Sequence, residues 1–426
     1  MVIDGKSYAG SGHRMRELGF TPPNLASDNT RFIERRHVFY VPGYDPEARQ
    51  RYHALFAREL GRYAARFDLR LHHVSPLVES VDRQAQTWTV DAGLAGRRTA
   101  TTFEILLWDD MVRRDMGRPV LASLLLLLLS VGHSLATGTL LRLYGLNRRF
   151  AGVIPLYPLV LSAVLLAAGA GIGSGLNRLV GQPAGSWIAI LVDVAAALGF
   201  AHLAMPLLDR FYLRQLTNDW VFKWQHGNGW REDYAARLDA MAARVAARID
   251  AGGADEITLV GHSSGALAVV EVAARVIVLR PGARLSLLTL GAGLPLVALV
   301  PRAARVRADI AALVACDRVV WAEYQAPQDW MNFPGFNPAR DLGPSPARVA
   351  NPLIRSARFR DIVDPEVYRR VRRRPFRMHF QFLFANDRPG EFDIVALLLG
   401  PRSLRDRVLA PDIVPLREAG GRAPGS

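Results

Sequence analysis

The chain has 426 residues, half of them hydrophobic, which is enough apolar material for a large core and for membrane-spanning segments. Its single cysteine, Cys316, excludes a disulfide framework and a cysteine-based metal site. The formal net charge of +14 comes almost wholly from arginine, and because the sequence contains no nucleic-acid-binding motif, we expect an anionic membrane surface rather than nucleic acid as its partner.

The first part of the chain predicts several strands and one helix. Residues 1–35 form an irregular segment without the apolar core of a signal peptide, so we expect that the whole chain is not exported. Residues 38–41 predict a buried strand that stops at Pro42. Apolar side chains at near-helical spacing over 52–67 predict an amphipathic helix. Further strands are predicted at LRLHHVS, QTWTV and FEILLWDD, and we assign 36–118 to the first part of a folded domain.

Three long apolar runs follow, at residues 119–141, 151–172 and 187–208. Each is long enough to cross the hydrocarbon core of a bilayer, which takes about 20 residues of helix. The alternative is three helices buried in a soluble core, but three such runs in succession, with almost no charge, exceed what a soluble core needs. We therefore interpret 119–212 as a membrane-embedded helical insertion.

After residue 210 the chain returns to the pattern of a folded domain. REDYAARLDAMAARVAARIDAGG predicts an amphipathic helix that ends at two glycines. ITLV, RLSLLTLG and RVVWAEYQ predict buried strands, and a loop rich in proline, glycine and asparagine is predicted at 326–352. We assign 213–411 to the second part of the domain and 412–426 to a flexible tail.

The sequence GHSSG at 261–265 fits the pattern G-x-S-x-G, and its surroundings predict a strand before it and a helix after it. In this strand–turn–helix context the hydroxyl of Ser263 projects from the sheet as a nucleophile. Gly261 and Gly265 allow the strand and the helix to pack closely around the strained serine. The alternative is a turn that matches the pattern by coincidence.

With this turn the chain resembles the α/β-hydrolase superfamily, over roughly 36–110 and 213–400. The resemblance implies an α/β fold with a mostly parallel sheet flanked by helices, here interrupted by the inserted helical transmembrane region. It also implies that a catalytic acid and then a catalytic histidine follow the serine along the chain.

That order selects the remaining members of a triad. His379 is the only histidine after His262 and is therefore the expected base, unless it is an ordinary surface or core histidine. Asp329 lies just beyond a predicted strand and is the first candidate for the acid that orients the imidazole. The other candidates for the acid are Asp341, Asp361 and Asp364.

An oxyanion hole needs two backbone N–H groups directed at the developing negative oxygen. By the resemblance, one donor is Ser264, the residue after the nucleophile. The other is expected in the loop YVPGYD, from Gly43 or Tyr44, because Pro42 has no N–H. The alternative is that this loop is an ordinary turn at the end of a strand.

The fold also constrains how the insertion crosses a membrane. Strands before and after the insertion must join one sheet, so the chain must cross an even number of times. The link at 142–150 carries three arginines and the link at 173–186 carries one. Because cytoplasmic loops collect basic residues, we expect the first link, and with it the folded domain, to face the cytoplasm.

Three simple spans are therefore excluded. We expect 151–172 and 187–208 to cross the membrane. Residues 119–141 are expected to be re-entrant or to lie in the interface, where Gly132 and Gly138 permit a break in the helix.

Together these features predict a bacterial inner-membrane serine hydrolase, esterase-like or lipase-like, that cleaves a lipid or acyl ester through Ser263, Asp329 and His379. No cofactor and no metal are expected, and the expected partners are membrane lipids and the ester substrate. The alternative is a catalytically inactive protein that keeps the fold as a membrane scaffold or binding module.

Overall fold

The computed structural model describes residues 32–183, 185–210, 212–343 and 347–417. Most of the irregular segment predicted at 1–35, and residues 418–426 of the predicted tail, lie outside the described residues. The remaining chain forms a mixed sheet with helices on both faces and a helical insertion between its fifth and sixth strands.

Within the described residues, nine strands form one sheet in the order β2-β4-β5-β1-β6-β7-β8-β9, with β3 paired to β4. The strands from β5 through β1 to β9 are parallel, whereas β2, β3 and β5 are antiparallel to β4. This arrangement confirms the predicted α/β class with a mostly parallel sheet. The strands are β1 Arg35–Val41, β2 Leu69–Val74, β3 Val78–Glu79, β4 Ala85–Leu94, β5 Arg97–Leu106, β6 Glu256–His262, β7 Leu285–Leu290, β8 Val319–Gln325 and β9 Leu353–Ser356.

The central strands are covered on both faces, which explains their continuous apolar sequences. Alternate residues of β1 enter opposite hydrophobic clusters: Phe39 packs on one face of the sheet and Tyr40 on the other. Every residue of β7 is buried. The other strands and the helices that cover the sheet supply most of the rest of both clusters.

The helix predicted over 52–67 and the amphipathic helix before the GHSSG turn are both present, as α1 and α9. The strand β9 and the short helices after it were not predicted. The helices outside the insertion are α1 Ala48–Arg66, α2 Asp109–Met116, α8 Leu213–Gly227, α9 Glu232–Ala251, α10 Ser264–Leu279, α11 Pro295–Ala298, α12 Ala304–Ala315, α13 Pro338–Asp341, α14 Phe359–Ile362, α15 Pro365–Val371, α16 Pro375–His379, α17 Ile394–Leu399 and α18 Leu404–Leu409, with a 3₁₀ turn at Phe380–Leu383.

The insertion contains two helical segments that are long and apolar enough to cross a membrane, Arg148–Leu179 and Trp187–Ala204. They contain most of the two runs that were predicted to span. The helices of the insertion are α3 Val120–Ala136, α4 Thr139–Leu146, α5 Arg148–Val153, α6 Leu156–Leu179 and α7 Trp187–Asp209.

The first apolar run does not form one straight helix. Helix α3 is bent by 102° from α2, and it ends before Gly138, which adopts a left-handed conformation with φ of 70°. Leu127 and Val131 are buried on one side of α3, whereas Leu128 and Leu129 are more than half exposed on the other. The predicted break therefore occurs at Gly138. Gly132 lies inside the helix, so the prediction of a break there is wrong.

Helices α6 and α7 pack tightly against each other through small residues and a polar contact. A Cβ atom added to Gly169 would lie 2.6 Å from the Cα of Ala197, so the two backbones approach too closely for any side chain. Asp193 on α7 accepts hydrogen bonds from the Ser174 hydroxyl at 3.2 Å and the Asn177 amide at 3.0 Å. The aspartate within the apolar run thus has partners on the neighbouring helix.

The two ends of the insertion return to the same sheet. Strand β1 pairs with β5, which precedes the insertion, and with β6, which follows it. A chain that leaves and rejoins one sheet crosses a membrane an even number of times, and two candidate spans satisfy that condition.

Candidate active site

The GHSSG turn joins the end of β6 to the start of α10, and Ser263 lies between them. Its φ of 58° and ψ of −122° are unfavourable for a residue with a side chain. The Ser263 N–H donates to the carbonyl of Leu290 at 3.0 Å, which ties the turn to the neighbouring strand β7. The surrounding sheet thereby holds a strained serine at the C-terminal edge of the central strands.

Both glycines of the motif are required by close packing. A Cβ atom at Gly265 would lie 2.1 Å from the carbonyl oxygen of Val41, and one at Gly261 would lie 2.2 Å from the carbonyl oxygen of Gly265. Any side chain at either position would overlap backbone atoms. The helix α10 therefore approaches β1 and β6 only because both residues are glycine.

The structure brings His379 and Asp329 together. The Nδ1 atom of His379 lies 2.6 Å from Oδ2 of Asp329, and both side chains are almost fully buried. The carboxylate also accepts hydrogen bonds from the Met331 N–H and the Asn332 amide, each at 2.9 Å. These bonds orient the carboxylate and stabilise its charge in a buried position.

The other candidate acids bind elsewhere. Asp341 accepts hydrogen bonds from Arg340 and from the Asn337 N–H. Asp361 pairs with Arg358. Asp364 caps the start of α15 by accepting from backbone N–H groups. Among the four aspartates considered, Asp329 is the one in contact with His379.

His379 lines the same cavity as Ser263. Its Nε2 atom is buried and has no hydrogen-bond partner among the described residues. The cavity encloses about 50 Å³, enough for a few water molecules. It is lined by Gly43, Tyr44, Asp45, Tyr52, Gln215, Leu216, Asp219, His262, Ser263, Ser264, Met331, Phe376, His379 and Phe380.

His262 supports the backbone of His379. Burial, together with the neighbouring His379, holds the pKa of His262 well below its usual range, so the ring is neutral at pH 7. Its Nε2 atom lies 3.0 Å from the His379 carbonyl oxygen, to which a neutral ring donates when the proton is on that nitrogen.

The loop after β1 lies directly beside the serine turn. A Cβ atom at Gly43 would lie 3.6 Å from the Ser263 Cβ, which is ordinary contact distance. Burial raises the pKa of the Tyr52 hydroxyl, and a hydrogen bond from the Gly43 amide opposes that rise. Across the described residues, the amides of Tyr44 and Ser264 make no hydrogen bond. Of the two donors predicted in this loop, Tyr44 has no such contact, and its role as the donor stays a prediction.

Two functional candidates on α8 were missed in the sequence. The Gln215 amide donates to the Tyr44 carbonyl at 2.7 Å, and the Ser264 hydroxyl donates to Asp219 Oδ1 at 3.0 Å. Asp219 also forms an ion pair with Lys223, one of only two lysines in the chain. The spacing of Gln215, Asp219 and Lys223, four residues apart on a helix with apolar neighbours, was the available signal.

The acidic pair after β5 does not enter this site. Asp109 pairs with Arg113, and Asp110 forms two hydrogen bonds with Arg237. Within the part of the chain that the structure describes, no group of three or more histidine, cysteine, aspartate or glutamate side chains is placed to hold a metal ion.

No protein-family model, no curated protein and no solved structure matches this chain.

Proposed function

We propose that the chain is a membrane-anchored serine hydrolase of the α/β-hydrolase type that cleaves a carboxylic ester, with a lipid or long-chain acyl ester as the preferred substrate. One observation carries this proposal. His379 is bonded to Asp329 at 2.6 Å, its Nε2 atom has no hydrogen-bond partner among the described residues, and its side chain lines the same cavity as the strained Ser263.

The positions of the three residues in the sheet support the proposed fold type. Ser263 follows β6, Asp329 follows β8 two strands away, and His379 comes after β9. All three lie beyond the C-terminal ends of parallel strands, the edge at which open α/β sheets bind ligands. The chain order of serine, acid and histidine is that of α/β-hydrolases.

The proposed reaction uses these groups in two stages. The Ser263 Oγ attacks the ester carbonyl carbon while His379 Nε2 accepts the hydroxyl proton. Asp329 stabilises the imidazolium, and the N–H groups of Ser264 and Tyr44 stabilise the negative oxygen of the tetrahedral intermediate. When the intermediate collapses, His379 gives the proton to the leaving alcohol. Water, deprotonated by His379, then attacks the acyl-enzyme and releases the acid and the free serine.

The surroundings of the cavity favour an apolar substrate near a membrane. Leu216, Met331, Phe376 and Phe380 form part of its wall. We expect the acyl chain of the substrate to lie against these apolar side chains.

The membrane insertion reaches this wall directly. Phe376 stacks on Tyr212 with ring centroids 3.7 Å apart, and Tyr212 lies just after the second candidate span. The arginine-rich link at 142–150 lies at the start of the first span and, by the positive-inside rule, favours a cytoplasmic location of the domain at the inner membrane.

Covalent labelling by a fluorophosphonate probe tests the proposal. We expect the purified full-length protein to be labelled, and Ser263→Ala and His379→Ala to lose labelling while they keep their thermal midpoints. His73→Ala, which changes an exposed histidine on the edge strand β2, is the matched control and should label normally. Well-folded protein that is not labelled, or labelling that persists in Ser263→Ala, would contradict the proposal and favour a non-catalytic binding protein.

A further inference from the structure

We propose that α8 positions the oxyanion hole from both sides, through Gln215 and Asp219, and so links the geometry of that hole to the membrane insertion. We call Gln215 and Asp219 the oxyanion clamp. The inference rests on the proposed function, in which Tyr44 and Ser264 supply the two N–H donors. Neither clamp residue is required to touch the reacting atoms, so both are positioning residues.

The first contact of the clamp fixes the loop that carries Tyr44. This loop follows β1 and has no strand partner, so side chains must hold its backbone. The Trp108 indole donates to the Pro42 carbonyl at 3.0 Å, and the Gln215 amide donates to the Tyr44 carbonyl at 2.7 Å. The two bonds lie on either side of Gly43, the residue that contacts the serine turn. Loss of the Gln215 bond removes the hydrogen bond that orients the Tyr44 carbonyl, while the buried Tyr44 ring still packs on Trp108 and Phe222.

The second contact fixes the residue after the nucleophile. The Ser264 hydroxyl donates to Asp219 Oδ1 at 3.0 Å, and a hydrogen bond to a carboxylate is stronger than one between neutral groups. The ion pair with Lys223 in turn orients the carboxylate. Ser264 is the first residue of α10 and is buried, so this bond holds the start of that helix against α8.

The two clamp residues lie one helical turn apart, which places them on the same face of α8. One rigid element therefore sets the distance between the two donors, although these belong to segments far apart in the sequence. A shift of α8 moves both donors, and donors act on a transition state only when they are correctly placed before the reaction.

Helix α8 is also the element that continues from the membrane hairpin. It begins at Leu213, four residues after α7 ends at Asp209, and it packs against α3, α6 and α7. At its start, Tyr212 stacks on Phe376, in the same short helix as His379. A movement of the insertion therefore shifts the oxyanion donors through α8, and it shifts the base His379 through this ring contact.

Isosteric substitutions separate positioning from packing. Gln215→Glu keeps the shape of the side chain but presents an oxygen to the Tyr44 carbonyl in place of a donor. We expect kcat for a short-chain ester to fall about 10- to 100-fold with KM changed less than about twofold, part of the loss that follows removal of an oxyanion donor. The rate of fluorophosphonate labelling should fall in parallel. Gln50→Glu on the exposed side of α1 is the control.

The Asp219 contact is tested by a double-mutant cycle. Asp219→Ala and Ser264→Ala should each lower kcat about tenfold or more, and the double variant should be no worse than the poorer single one, because each substitution removes the same bond. Asp219→Asn keeps an oxygen acceptor for the Ser264 hydroxyl and should restore most of the activity. Asp239→Ala, at an exposed position on α9, is the control.

The outcomes are distinguishable. If the wild-type protein is labelled but Gln215→Glu and Asp219→Ala react at the wild-type rate, the clamp is wrong and the proposed function stands. Additive losses in the cycle, or a rise in KM at constant kcat, would mean that Asp219 acts on the substrate directly and would also overturn the clamp. If folded wild-type protein is not labelled, the proposed function fails and the clamp fails with it.

Discussion

At the scale of single residues, the candidate site depends on one strained serine and one oriented histidine. Ser263 keeps its unfavourable backbone angles because two glycines allow the neighbouring segments to close around it. His379 has one nitrogen bonded to Asp329 and the other unpartnered. This asymmetry is what a general base requires, since the bound nitrogen fixes the tautomer and the free one accepts the proton.

Replacement of Asp329 by asparagine tests the orientation of that base. The amide keeps the volume of the carboxylate but cannot stabilise the imidazolium by charge, and it favours the wrong tautomer. We expect kcat for ester hydrolysis to fall about 10³- to 10⁴-fold, with little change in Tm. Asp361→Asn, at an exposed aspartate paired with Arg358, should retain full activity. The opposite ranking of the two variants would show that the acid has been misassigned.

Glu323 on β8 predicts a pH dependence of stability. Burial raises its pKa to about 7, although the side chains of Gln325 and Thr289 oppose the rise. The folded protein binds this proton more tightly than the unfolded chain does. The resulting stabilisation is complete below pH 4.5, the pKa of this group in the unfolded chain. It is lost as the pH rises to about 7, the pKa in the folded protein. Over that interval the loss is on the order of 3 kcal/mol.

Glu323→Gln removes this titration because the amide is neutral at every pH. We expect the variant to be more stable than wild type at pH 8 and similar to it at pH 5, as measured by thermal unfolding in one detergent. The measured quantity is the difference in Tm between the two proteins at each pH. In this difference the titration of all other groups cancels. A difference that does not change between pH 5 and pH 8 would exclude a raised pKa at Glu323.

The sequence alone marked the three candidate residues of a triad but not the side chains around them. Ser263 is marked by its motif, and chain order leaves His379 as the single candidate base once the resemblance is assumed. Gln215 and Asp219 could not be found in this way. Gln215 contacts a residue 171 positions away, and its role exists only after the insertion has folded back on the sheet.

At the scale of elements, periodicity and apolar runs predicted the long helices and the central strands. The failures have physical causes. Strand β9 has four residues, and the helices after it are also short, so no period can be recognised in them. In the first apolar run, a break at Gly138 was expected, whereas the bend of 102° between α2 and α3 was not, because hydropathy does not register a change in helix direction.

The hairpin of α6 and α7 predicts a position-specific response to added side chains. Gly169→Ala places a methyl group 2.6 Å from the Cα of Ala197, so the helices must separate. We expect Tm to fall by several degrees, as overpacking costs typically 1–3 kcal/mol, a range taken from soluble cores. Gly171→Ala is the matched control, because a Cβ atom there meets nothing within 4 Å. Equal effects at the two glycines would argue against this packing.

At the scale of the whole molecule, the strand pairing in the sheet restricts how the insertion can cross a membrane. The pairing of β1 with strands from both sides of the insertion places the two ends of the insertion on one side of any membrane that it crosses. This relation was predicted from the sequence by requiring that one sheet contain both sets of strands. Which side the domain occupies is not given by the fold, and it depends on the arginine count of the links.

Cysteine accessibility tests the orientation. Cys316 is buried and can be replaced by alanine to give a cysteine-free background. In that background, Gly145→Cys and Gln182→Cys mark the two links. With a membrane-impermeant maleimide on cells whose inner membrane is intact, we expect labelling at position 182 and protection at position 145. Labelling of both positions in intact cells would exclude a hairpin with two spans. The same conclusion would follow if neither position were labelled before lysis and both were labelled after it.

The placement of β6 beside β1 also sets an order of assembly. Strand β6 is synthesised only after the whole insertion, long after its partner β1. Arg36 and Glu256, which form a buried ion pair across the two strands, are 220 residues apart. Until β6 arrives, one edge of β1 is unpaired and prone to wrong association. The nascent chain therefore cannot complete the GHSSG turn before its hairpin has been synthesised. In this architecture, a chain released from the ribosome before that point has an unpaired strand edge and lacks the candidate serine.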